Sequence, residues 1–179
     1  MARELERYSL MFLEDPIDPM DRKRLKILRD KSSTPIGIGE LYTTINDCEL
    51  VISERLIAFI RVDISHFRGI TPLLRLAHFA DIHGVKTAFH GPIDISPLAH
   101  AASIHIDLSV CNFGVQGTFE PDETLKEVFD LPYFAKDGYL HMIDRPGIGV
   151  GFNEEVALQY PFQKKYLPIL RDETGALHN

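Results

Sequence analysis

Five short apolar runs, each closing on a polar side chain and most followed by a stretch with helical spacing, constrain this chain more than anything else in it. They read LMFLEDP (10–16), TPIGIGE (34–40), LIAFIRVDISH (56–66), VKTAFHG (85–91) and CNFGVQ (111–116). The polar residues Glu14, Glu40, His66, His90 and Gln116 recur every 24 to 26 positions. That period is too long for a leucine-rich solenoid, and the units share no solenoid signature. It suits a βα unit, a buried strand followed by an amphipathic helix. The helical halves are legible. Leu25, Ile27 and Leu28 lie among basic residues over 20–31, and Ile45, Cys48, Val51 and Ile52 share one face after Thr44, a candidate cap. Ile70, Leu73, Leu74, Ala77 and Ala80 make a stripe that Gly84 stops, and Ser96 opens a helix with Pro97 at its first position. Repeated βα units specify an α/β fold with parallel strands, either an open doubly wound sheet or a barrel.

Composition narrows the partners. A formal charge of -7 and a pI near 5.6 argue against nucleic acid and against an anionic membrane surface, both of which need a basic face. No apolar stretch approaches the roughly 18 residues that would span a bilayer, and no secretory leader is evident, so cytoplasm is the expected location. Cys48 and Cys111, the two cysteines, read as small buried hydrophobes, with no third or fourth soft ligand nearby to make a zinc site.

Chemistry in parallel βα architecture gathers at the carboxyl ends of strands. Glu14 and Glu40, closing adjacent runs, can converge on one hard cation such as Mg²⁺, which prefers oxygen ligands; each could also be an ordinary solvated or helix-capping acid. Asp15 is expected to point elsewhere, as a loop acid before Pro16. His90, held by the following Gly91 and Pro92, is the general acid/base candidate. Asp63 could orient its imidazole as the second member of a dyad, or pair with Arg61 or Lys86. His66 could reach the same face, whereas His78, His83, His100, His105, His141 and His178 fall where surface or packing roles are expected.

In order and spacing, FLEDP, PIGIGE, IRVDISHFRGITP, HGPIDISP, NFGVQ and the late DRPGIGVGF resemble the C-terminal part of the enolase superfamily. The resemblance is to its mannonate dehydratase-like, starvation-sensing branch of mandelate racemase/muconate lactonizing type. It implies a partial (β/α) TIM-type barrel over 1–120, about five βα units matching strands 4 to 8 of the family barrel, and a tail of helix, hairpin and extended chain over 121–179. It implies a Mg²⁺-dependent dehydratase of an acid sugar, an aldonate of mannonate type. Residue by residue, Glu14 and Glu40 match the second and third metal ligands, His90 the acid/base histidine, and Asp63 the dyad aspartate. Two expected groups, the first metal ligand and a base on the third strand, would precede ARELERYSL. Relatives typically carry Glu where this chain has Gly117, with Glu120 three positions on, and many carry Gly at Arg68. These departures keep two other readings in play: a noncatalytic or regulatory remnant that binds metal or sugar acid, and a racemase or epimerase acting at the same carbon through His90.

Five strands cannot close a barrel of that design, which takes about 200 residues or more. The exposed edges therefore call for a longer enzyme, a homo-oligomer or a complementary chain that completes the barrel. In the tail, Leu125, Val128 and Phe129 mark a short helix, GYLHMIDRPGIGVGF is expected to turn at Arg145 to Gly147 as a hairpin, and Asn153 caps a last helix stopped by Pro161, after which the chain should run extended.

Overall fold

The computed structural model describes residues 1–164. Helix α1 (Ala2–Leu5) and a 3-10 turn (Glu6–Tyr8) lead into β1 (Leu13–Glu14). Then βα units alternate: α2 (Arg22–Lys31), β2 (Ile36–Ile38), α3 (Ile45–Ser53), β3 (Phe59–Ile60), α4 (Ile70–Ile82), β4 (Lys86–Thr87) and α5 (Pro97–Ser109). The four strands form one parallel sheet in chain order, with Leu13 opposite Ile36, Gly37 opposite Phe59 and Ile60 opposite Thr87. The fifth run joins through a parallel bridge from Thr87 to Phe113 and through the Gly114 N–H, which donates to the Thr87 carbonyl at 2.9 Å. This is the arc of a (β/α) barrel, open at both lateral edges.

Helix starts follow the local chemistry. Asp21 accepts from the Arg24 N–H at 3.0 Å, and the Asp47 carboxylate takes the N–H groups of Thr43 and Thr44 at 3.0 and 2.9 Å, so orphan donors of the first turns are satisfied. Each helix lays its apolar stripe on the sheet: Leu25 from α2, Cys48, Val51 and Ile52 from α3, Leu73, Leu76, Ala77 and Ala80 from α4. They meet Ile36, Ile38, Ile60, Val62 and Phe89 in one continuous core. A fully buried Leu or Ile contributes about 1.5–3 kcal/mol relative to exposure, so this layer dominates stability. Ile70, expected in the α4 stripe, is half exposed because it opens the helix, before the stripe reaches the sheet.

The tail forms α6 (Glu123–Val128), β5 (Phe129–Asp130), β6 (Tyr133–Lys136), β7 (Tyr139–Met142), β8 (Gly151–Phe152) and α7 (Glu154–Ala157), the last capped by Asn153, whose side chain accepts from the Val156 N–H at 3.2 Å. The hairpin turns at Asp137 and Gly138, not at 145–147. Both turn residues have positive φ, 51° and 80°, the geometry whose twist matches flanking strands and which Asp-Gly favours. Arg145 instead reaches back to Asp130 at 2.7 Å, in the loop that brings β8 antiparallel to β5. A second apolar cluster, Ala101 and Ile104 of α5 with Tyr133, fastens the hairpin to the barrel. Cys111 is exposed, contrary to expectation, since it lies in the turn entering the last run; Cys48 is buried. The extended run expected after Pro161, and His178 with it, lies for the most part outside the described residues. Among the described residues no helix is long and apolar enough to cross a membrane.

Candidate functional site

Parallel strands in register deliver their C-terminal residues to one rim. Glu14 ends β1, Glu40 follows β2 by two residues and His90 follows β4 by three. One carboxylate oxygen from each glutamate and one ring nitrogen of His90 lie within 4.8 Å of one another, and His90 Nε2 stands 3.9 Å from Glu40 Oε2. Backbone geometry makes this possible. Gly39, at φ 148°, brings the chain so near β3 that a Cβ there would sit 2.9 Å from the Arg61 nitrogen, and the turn it permits aims Glu40 inward.

Arg61 organises the glutamate end. It alternates with Asp63 along the strand, so both face the barrel interior. Its guanidinium is buried against the Phe12 ring, donates to Glu14 Oε1 at 2.6 Å and to the Ala88 carbonyl at 3.0 Å. One Glu14 oxygen is thereby held and the other left for a ligand. Asp15, next along the chain, is partly buried. Burial raises its pKa, the Glu14 and Glu40 charges raise it further, and Arg61 and His90 oppose them; its Oδ1 is buried with no partner. Its backbone is left-handed at φ 38°. Two carboxylates thus share one rim, with one buried guanidinium to offset them and a third acid, Asp15, beside Glu14 in the chain. Hard oxygen donors, surplus negative charge and an orphaned buried carboxylate oxygen fit a divalent cation of the Mg²⁺ type.

Asp63 and His90 are joined by a parallel backbone bridge, yet no side-chain hydrogen bond makes a dyad. Asp63 Oδ1 accepts from the Ser65 and His66 N–H groups at 2.6 and 3.2 Å, and His90 Nδ1 is buried with no hydrogen-bond partner among the described residues. Nor does Asp63 pair with Arg61 or Lys86; Arg61 goes to Glu14. His66 is exposed, its Nδ1 3.4 Å from the Glu40 carbonyl. Sequence reasoning set Asp15 aside and gave Arg61 only a secondary part. A signal existed for Arg61: a lone cation inside the apolar run LIAFIRV must have a partner if it is buried.

The end of the fifth run closes tightly against β4. Gln116 Nε2 donates to the Phe89 and Gly117 carbonyls at 3.2 and 2.6 Å, and the Gly117 N–H donates to Phe89 at 2.8 Å. A Cβ at Gly117 would lie 2.9 Å from the Gly91 nitrogen, so the position next to His90 admits glycine and nothing larger without a shift. Behind it, His100 Nε2 donates to the Gly117 carbonyl at 3.2 Å, which leaves Nδ1 to accept the Tyr133 hydroxyl at 3.1 Å. His100 is fully buried, and burial holds its pKa below the usual imidazole value.

A parallel βα arc with acidic and imidazole groups at the C-terminal rim places the chain in the (β/α) barrel class. More narrowly, it belongs to the enolase C-terminal domain-like family, whose model matches residues 1–156. A D-galactonate dehydratase family member of Pseudarthrobacter chlorophenolicus is 41% identical over 179 residues, 100% of this chain and 44% of that protein. A D-mannonate dehydratase of Caulobacter sp. is 40% identical over the same shares. The crystal structure of an enolase from Pantoea ananatis with bound D-gluconate and magnesium superposes with a TM-score of 0.87 at 42% identity, covering 92% of this chain and 40% of that one. The chain therefore spans less than half the length of these relatives.

Proposed function

We propose that this chain forms the metal-holding and proton-donating part of a Mg²⁺-dependent acid-sugar dehydratase. The observation that carries the proposal is the meeting of Glu14, Glu40 and His90 within 4.8 Å at one rim. The relatives named for D-galactonate and D-mannonate dehydration, and the neighbour holding D-gluconate and magnesium, support the substrate class.

Glu14, through the oxygen that Arg61 leaves unheld, and Glu40 would hold the ion. Bound there, Mg²⁺ supplies Lewis acidity where negative charge develops as the proton beside the substrate carboxylate leaves. His90 turns Nε2 toward the rim, and in its protonated form hands that proton to the hydroxyl departing from the neighbouring carbon. Asp63, committed to the Ser65 and His66 N–H groups, fixes the loop after β3 beside His90. A further metal ligand and the abstracting base are expected from the part of the barrel that relatives possess and this chain does not span.

Incubating the protein together with the part of the barrel it does not span, in the presence of Mg²⁺ and a panel of D-mannonate, D-gluconate and D-galactonate, then assaying 2-keto-3-deoxy products, tests this reading. Product that EDTA abolishes and Glu40→Gln lowers by about a thousandfold or more is expected. Absence of product together with absence of Mg²⁺-dependent sugar-acid binding would sink it. A second reading, a binding site without turnover, is favoured by the Gly117–Gly91 contact, which leaves no room for a polar side chain beside His90. Metal-dependent binding of the same acids without product would select it.

A further inference from the structure

Gln116 closes the fifth run where earlier runs present Glu14, Glu40 and His90, yet its carboxamide is spent inside the protein. Nε2 donates to the Phe89 carbonyl at 3.2 Å and to the Gly117 carbonyl at 2.6 Å, and Oε1 accepts the Ser103 hydroxyl at 3.0 Å. Two carbonyls can only accept, so the amide nitrogen must face them and the oxygen must face Ser103. Ser103 and His100 stand three residues apart on one face of α5, both fully buried, and His100 adds its own bond to the Gly117 carbonyl at 3.2 Å. Helix α5 thus commits two buried polar side chains to residues 116 and 117.

What these bonds hold is the backbone on either side of His90. The Phe89 carbonyl, just before it, takes the Gly117 N–H at 2.8 Å as well as the Gln116 amide. Gly91, just after it, packs so closely that a Cβ there would collide with the Gly117 carbonyl and lie 3.1 Å from Gln116 Nε2. From the β3 side, the Val62 carbonyl accepts the His90 N–H at 3.0 Å. The ring itself has no comparable support. Nδ1 is buried with no partner among the described residues, Nε2 stands 3.9 Å from Glu40 Oε2, beyond hydrogen-bond reach, and Asp63 is engaged with the following turn. An imidazole without a side-chain partner points where its backbone and packing aim it. The fifth run forms only a one-residue bridge with β4 among the described residues, so a side chain supplies the pairing that a ladder gives the other strands.

We propose that Gln116, set by Ser103 and His100, is the positioning residue for His90, fixing the backbone of residues 89–91 so that the imidazole Nε2 faces the rim. The assignment rests on the reading of His90 as proton donor, and it gives the fifth run the orienting part that an Asp63 dyad would have played.

Histidine-ring NMR on the chain of residues 1–179, with three-bond couplings reporting the His90 χ1 angle, tests the assignment. One rotamer is expected in the wild type. Gln116→Met, close in length and without the three hydrogen bonds, should set His90 averaging between rotamers. Ile52→Val, which loosens the core under α3 without touching the clamp, should not. In the barrel completed by the part this chain does not span, Gln116→Met should lower kcat by about ten- to a hundredfold and leave the Mg²⁺ concentration for half activity unchanged. Should Gln116→Met lose its far-UV dichroism, Ser103→Ala, which removes only the donor to Gln116 Oε1, carries the same test. A His90 ring that keeps one rotamer in the folded variant, or that is already averaged in the wild type, overturns the proposal. The couplings are read without turnover, so an inactive completed barrel counts against the dehydratase reading alone and leaves the positioning to be decided by them.

Discussion

Asp107 and His100 sit two turns apart on one helix and show how burial acts on opposite chemistries. Burial pushes the Asp107 carboxyl from 3.8 up to about 8, because it penalises the charged form, and the same penalty lowers the His100 pKa. The sign for Asp107 is definite. Between pH about 4 and about 8 the folded protein keeps a proton that the unfolded chain has released, so its stability falls as pH rises through that window. Urea denaturation at pH about 5 and about 8 should show this loss, of order a few kcal/mol at most, and Asp107→Asn should remove it. A pH-independent wild-type midpoint would contradict the burial of a carboxyl whose two oxygens lack a hydrogen-bond partner among the described residues. In the sequence Asp107 is one polar residue among IHIDLS, indistinguishable from a solvated helix acid. Arg68 is the reverse case. Its backbone is left-handed, φ 66°, a conformation that glycine adopts at less steric cost than arginine, and only the structure reveals it.

At the level of the βα unit, the approximately regular spacing of strand ends was enough to bring Glu14, Glu40 and His90 near one another, because parallel pairing carries each strand's last residues to the same rim. It was not enough for side-chain partners. Asp63 and His90 share a bridge, but an Asp at a strand end meets the free N–H groups of the following turn sooner than it meets an imidazole. The closing run is tighter still. Gly117→Ala places a methyl group 2.9 Å from the Gly91 nitrogen and 3.0 Å from the Phe89 carbonyl oxygen, and should cost about 1–3 kcal/mol in thermal or chemical denaturation. An unchanged midpoint would mean that the two strands do not approach so closely. The tail hairpin was misplaced for a local reason: Pro146 and Gly147 announced a turn, while Asp137-Gly138 supplied the one whose twist fits a two-residue hairpin.

Across the whole molecule, the tail and the rim are linked by one hydrogen-bonded chain: the Tyr133 hydroxyl to His100, and His100 to the Gly117 carbonyl beside His90. Tyr133→Phe should cost about 1 kcal/mol and speed amide exchange at Gly117 more than in the β2–β3 core. Equal effects everywhere would show that the hairpin merely adds burial. What the sequence alone determined is the βα repeat, its parallel direction and the acidic rim, since these follow from apolar periodicity and strand order. The fixing of Glu14 by Arg61, the burial of the Asp15 Oδ1, the empty-handed imidazole nitrogen of His90 and the orphaned Asp107 were settled by tertiary packing. A polar group's partner depends on which distant backbone or side chain burial brings within about 3 Å, and chain spacing carries no record of that.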